Sequence, residues 1–175
     1  MSLVELLVGM FIFSVVISAT LYIFVPLMDT MVRSNEIAEY NTLFDNVANL
    51  IVTDLAGLTA HPRANGIDLA DAIEFDLSDD PITLVMNRPV IYARDADTDT
   101  ITRNGNPLLP ERFSGERTDI NFRLRLDPDA AAAESVFLLT VSLSRRNPLT
   151  GAVNEDLTIS RDYVVKPLAL NQFNN

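Results

Sequence analysis

Leu6 to Met28 is a run of 23 residues without a charged side chain, and no other feature limits what this chain can fold into as strongly. As a helix rising ~1.5 Å per residue it would be about 35 Å long, enough to cross the ~30 Å hydrocarbon core of a bilayer. A helix that is apolar on every side has to be covered, by lipid or by an equally apolar assembly. Glu5 is the only charged residue before Asp29. Residues 29–175 therefore hold almost all of the net charge of −11 and read as an acidic body attached to an apolar segment.

The usual reasons for such a run fit poorly. A cleavable secretory signal opens with basic residues, whereas residues 1–5 contain no Lys or Arg and do contain an acid. A plain signal anchor has the same difficulty, because Arg33 is the only basic residue near either flank and the charge bias sets no orientation. Removal of a short leader upstream of Met1 would account for the missing basic residues, with Met1 a processed N-terminus. Glu5 is costly at the edge of an apolar helix, since an acid at mid-helix is penalised by roughly 2.5–3.5 kcal/mol on insertion scales. It either snorkels to the headgroups or has a partner. The first-turn position gains from the helix dipole, and the best cation within reach is the α-amine of residue 1, its own or that of a neighbouring copy.

Met1-Ser2-Leu3-Val4-Glu5-Leu6-Leu7-Val8 resembles the N-terminus of mature type IV pilins and pseudopilins. In that family a prepilin peptidase exposes residue 1, the new amine is N-methylated, and an acid at the fifth position opens a long apolar helix. The resemblance implies a structural subunit of a pilus-like filament, a helical homopolymer whose N-terminal helices pack into the core. It implies residence in the cytoplasmic (inner) membrane before assembly, contact with the pilus assembly machinery, and an extracellular, cell-surface destination. It also implies that Met1, through its N-methylated amine, and Glu5 act in assembly, the acid pairing with the amine of an adjacent subunit. A buried charge without a partner penalises wrong docking, so such a pair sets register more than it adds stability. Gly9, Ser14, Ser18 and Ala19 would permit close helix approach.

Pro26 removes one hydrogen bond to the carbonyl of Tyr22 and is expected to kink the helix, with a local break between Ser14 and Pro26 as a further expectation. Beyond it Met28, Met31, Val32, Ile37, Tyr40, Leu43, Phe44, Val47, Leu50, Ile51, Leu55 and Leu58 recur at helical steps. Asp29, Arg33, Glu36, Glu39, Asp45 and Asp54 fill the other side. The helix is expected to end near Gly57, ahead of Pro62.

Residues 59–71 read as a loop punctuated by His61-Pro62 and Asn65-Gly66. β-type runs follow at Ala72–Asp76, Ile82–Met86, Val90–Arg94, Thr100–Arg103, Ile120–Leu126, Val136–Arg145 and Leu157–Val165, with a turn at Asn147–Gly151. The expected architecture is α+β, a long N-terminal helix packed on an antiparallel β-sheet, which is the type IV pilin fold that the resemblance implies. Three regions result: 1–28, the apolar membrane or filament-core helix; 29–58, its amphipathic half; and 59–175, the globular sheet domain. Val90-Ile91-Tyr92, Ile101-Thr102-Arg103-Asn104-Gly105, Pro107-Leu108-Leu109 and Ile120–Leu126 resemble the C-terminal domains of larger minor pilins and J-type pseudopilins. A minor pilin that sits at the tip or initiates the fibre, or a pseudopilin of a type II secretion system, is therefore the alternative.

Other chemistries find little to work with. The chain has no Cys and one His, His61, so thiolate sites and multi-His metal sites are excluded, and a Ser-His-acid arrangement would have to run through His61. Thirteen Lys and Arg against 24 Asp and Glu argue against a nucleic-acid partner. Asp95, Asp97 and Asp99 alternate like ligands of a Ca²⁺ loop, but the EF-hand pattern fails at Thr100, where Gly is wanted, and at Asn106, where Glu is wanted. An acidic hairpin turn explains them as well. No enzymatic activity, metal or cofactor is expected.

Overall fold

The computed structural model describes residues 3–72, 74–113, 118–129, 135–146 and 153–172. The expected turn at 147–151 and residue Met1 lie outside them. The chain divides into two compact units, Met1–Asn41 and Thr42–Asn175, and helix α1 (Leu3–Ala56, 54 residues) contributes to both.

In the first unit α1 is helical at every described residue. The helix continues through Pro26, so the expected break between Ser14 and Pro26 is absent. Hydroxyls take up local carbonyls along it: Ser14 donates to the Phe11 carbonyl, Thr20 to Val16 and Thr30 to Pro26, each at 2.8 Å. Polar side chains satisfied within their own helix are compatible with an apolar surrounding.

The second unit is α+β, the end of α1 packed with antiparallel sheets. Leu43, Phe44, Val47, Ala48, Ile51 and Leu55 are buried, the three- and four-residue spacing of one helical face. Met28, Met31, Val32, Ile37 and Leu50, placed on the same stripe by sequence, are exposed. The apolar period persists through residues 28–37, but burial requires a surface to pack on as well as a period. Gly57 follows the helix, and its N–H donates to the Asp54 carbonyl at 3.1 Å.

The single expected sheet is two among the described residues. One has the order β2-β1-β4-β5-β6-β7 and the other β10-β9-β8-β3. The strands of the first are β1 (Arg63–Ala64), β2 (Ile67–Asp68), β4 (Ile82–Leu84), β5 (Val90–Asp95), β6 (Thr100–Arg103) and β7 (Asn106–Pro107). Those of the second are β3 (Phe75–Asp76), β8 (Thr118–Leu126), β9 (Phe137–Arg146) and β10 (Val153–Val165). A short helix α2, Leu168–Gln172, follows.

The 59–71 segment expected to be a loop holds the β1–β2 hairpin. Asn65 and Gly66 have φ of 50° and 80°, the positive pair that a two-residue type I′ turn needs. Asn104 and Gly105 repeat this at 52° and 78° between β6 and β7. In the second sheet the cross-strand pairs Ile120–Leu143, Phe122–Val141 and Leu124–Leu139 are buried throughout, while Arg123 between two of them and Arg125 just after the last are exposed. The sheets meet where Tyr92 of β5 stands edge-on to Phe122 of β8, ring centroids 5.2 Å apart.

Candidate functional site

From Leu3 to Val32 every large apolar side chain of α1 is exposed, with Phe11 at 70% and Tyr22 at 84% of full accessibility. The helix is long and apolar enough to cross a membrane by length and composition, and its apolar window contains no buried residue. Exposure on all sides of a helix this apolar is a large unmet demand for burial. Glu5 is the third residue of α1, at the end where the helix dipole favours an anion. Its side chain, like all of Met1, lies outside the described residues. At Gly9 an added Cβ would meet nothing within 4 Å, so the close approach expected there has no partner among the described residues.

Two carboxylates on the far end of α1 hold it to the sheets from opposite sides. At ~100° per residue, Asp45 and Asp54 lie about 180° apart and flank the buried stripe. Asp54 is 8% exposed and sits in the last turn, where the helix dipole opposes an anion. Three donors offset that cost: Arg103 of β6 through Nε at 2.7 Å and a terminal nitrogen at 2.8 Å, and the Tyr92 hydroxyl at 2.6 Å. Burial raises the Tyr92 pKa, and the hydrogen bond to the Asp54 carboxylate raises it further. The same carboxylate raises the Arg103 pKa. On the other side, Arg161 of β10 reaches Asp45 at 2.6 Å while its guanidinium lies 5.1 Å from the centroid of the Phe44 ring. This second pair is about half exposed and so contributes only about 0–1 kcal/mol. Sequence reading placed Asp45 and Asp54 on the solvent side of the helix. The missed signal was Asp54's position at the edge of the stripe, one residue before buried Leu55.

The acids Asp95, Asp97 and Asp99 belong to the β5–β6 hairpin. The Asp95 carboxylate accepts from the backbone N–H groups of Asp97 at 2.9 Å and Thr98 at 3.2 Å, a local turn of the kind Asp favours. Asp99, at φ 50°, pairs with Arg94 at 2.7 Å, and Arg94 also reaches Asp119 at 2.9 Å. Burial lowers the Arg94 pKa, and the hydrogen bonds it donates to Asp99 and Asp119 outweigh it, leaving the pKa raised. Two of the three acids therefore already have intramolecular partners, and among the described residues no group of three or more acidic or histidine side chains converges as a metal site would need.

Another acid missed in sequence is Asp76. Burial pushes its carboxyl up, but hydrogen bonds from the Ser78 hydroxyl, the Asn121 amide, the Ser78 N–H and Arg123 outweigh it and hold the pKa at about 2. His61 packs edge-on against Phe137, centroids 6.0 Å apart. Its Nδ1 is buried without a hydrogen-bond partner among the described residues, so that nitrogen lacks the orienting carboxylate of a catalytic triad.

The feature that looks outward is thus the bare apolar helix, whereas the charged clusters of the second unit are tied to one another. Compared with models of known families, with curated proteins and with solved structures, the chain matches none.

Proposed function

We propose that this chain is a structural subunit of a type IV pilus-like filament, a homopolymer assembled by packing of its apolar N-terminal helices after residence in the cytoplasmic membrane. The observation that carries the reading is the uninterrupted exposure of large apolar side chains from Leu3 to Val32. Lipid meets that demand before assembly and neighbouring copies meet it afterwards. The resemblance of residues 1–8 to the mature pilin N-terminus selects a filament over a plain anchor. On that resemblance Met1 supplies a processed, N-methylated amine and Glu5 its partner, with prepilin peptidase and the pilus assembly machinery as further partners. The α+β body then lies outside the fibre core, in the arrangement of the pilin fold. Neither enzymatic activity nor a nucleic-acid partner belongs to this reading.

A second reading, a minor or initiating pilin or a type II secretion pseudopilin, is favoured by the likeness of Val90–Tyr92, Ile101–Gly105, Pro107–Leu109 and Ile120–Leu126 to those subunits. Abundance in the fibre separates the two.

Glu5→Ala and Glu5→Leu test the mechanism. Both variants are expected to remain in the membrane at the parent level while their incorporation into sheared fibres falls at least about tenfold, as loss of one buried ion pair worth more than ~1.4 kcal/mol requires. Normal fibre yield from either would remove the pairing role of Glu5.

A further inference from the structure

Just past the apolar run, Asp29, Thr30, Arg33, Ser34 and Ile37 line an open groove of about 420 Å³. At ~100° per residue all five fall within about 140° of one helical face. The apolar run is slightly longer than the hydrocarbon core, so residues 29–33 stand in the headgroup layer when Leu6–Met28 spans a bilayer. Helical side chains lean toward the N-terminus, which directs the Arg33 guanidinium back toward the level of Asp29. The groove thus brings one cation, one carboxylate and two hydroxyl oxygens within about 8 Å of one another along the helix axis. The Thr30 hydroxyl donates its proton to the Pro26 carbonyl at 2.8 Å, leaving its oxygen as an acceptor. Glu36 lies on the adjoining face, which makes the local charge net negative.

We propose that Asp29, Thr30, Arg33 and Ser34 bind the headgroup of a zwitterionic, ethanolamine-type phospholipid, the phosphate against Arg33 and the primary ammonium against Asp29 and the Thr30 oxygen. Charge complementarity selects this occupant. A net-anionic glycerol headgroup offers Asp29 hydroxyl donors but no cation, and its charge is repelled by Glu36. A choline headgroup carries no N–H to donate to the carboxylate. The site rests on the membrane residence put forward under Proposed function, and it adds a lipid preference to that residence.

The test uses the full chain reconstituted into vesicles of phosphatidylcholine alone, with added phosphatidylethanolamine, or with added phosphatidylglycerol. Flotation reads insertion, and native mass spectrometry after detergent release reads the lipid retained per chain. Retention of the ethanolamine lipid is expected to exceed that of the glycerol lipid about fivefold, the change that one headgroup charge contact of ~1 kcal/mol supplies. The double variant Asp29→Asn with Arg33→Gln is expected to float equally well and to keep only the small part of the preference that Glu36 alone supplies. Equal retention by the parent chain, or an unchanged preference in the double variant, overturns the lipid site alone. Failure to float with any vesicle overturns membrane residence and the site together.

Discussion

Asp54 has the most at stake of any single residue in the second unit. It is a buried anion at the unfavourable end of a helix, and three donors from β5 and β6 hold it. Asp54→Ala leaves Arg103 and the Tyr92 hydroxyl without their acceptor, and a loss of about 3–5 kcal/mol is expected in chemical denaturation. The paired change Asp54→Leu with Arg103→Met is expected to recover most of that loss, because removing both charges also removes the desolvation cost. Asp76 gives the pH dependence. Its folded pKa of about 2 lies below the ~3.9 of an unfolded Asp. Its contribution is therefore complete above about pH 4 and is lost as pH falls toward 2. After discounting for partial exposure that contribution is about 1–2 kcal/mol. Asp76→Asn is expected to be less stable than the parent at pH 7 by this amount, with the gap closing between pH 4 and 2 in thermal melts. Neither residue was legible in the sequence. Among 24 acids, nothing local distinguishes one whose partner arginine is 47 or 49 positions away, and only folding brings those pairs together.

At the scale of elements, legibility followed the length and regularity of the pattern. The 54-residue helix and the alternating strands β8, β9 and β10 could be read directly, since each carries its period over two or more turns or pleats. Of the two-residue strands only β3 fell within an expected run, Ala72–Asp76. β1, β2 and β7 are too short to show a period, and pairings such as Phe75 with Leu124 are non-local. This is why one sheet was expected where two exist. The hairpin signals were present in Asn65-Gly66 and Asn104-Gly105, but their flanking strands were too short to register. Gly105 tests the turn: an added Cβ meets nothing within 4 Å, so Gly105→Val acts through φ alone, which is 78° here. A loss of about 1–2 kcal/mol is expected, read by denaturation, with Gly105→Asn close to the parent. Deletion of residues 1–28 removes, among the described residues, only helix whose side chains are exposed. The remaining chain is expected to be a soluble, acidic monomer with a native sheet signal in circular dichroism. An unfolded product would show that the second unit depends on the apolar segment.

Over the whole molecule, the two units set opposite demands on solvent. The apolar helix needs burial that the described residues do not supply, while the second unit closes its own core and pairs many of its charges internally. A membrane satisfies the first demand for a single copy, and a bundle of such helices satisfies it for many copies. The apolar run was legible because its composition is extreme, and Glu5 because it interrupts that composition. How copies would pack was not legible, since helix crossing and register arise between chains. Intact-mass and N-terminal peptide measurement on extracellular fibres sheared from cells tests the filament reading most directly. This chain is expected there as an abundant component beginning at Met1 and heavier by the ~14 Da of one methyl group, an N-terminal modification that removes no charge. A chain confined to membranes, with no copy in the sheared fibres, would contradict it.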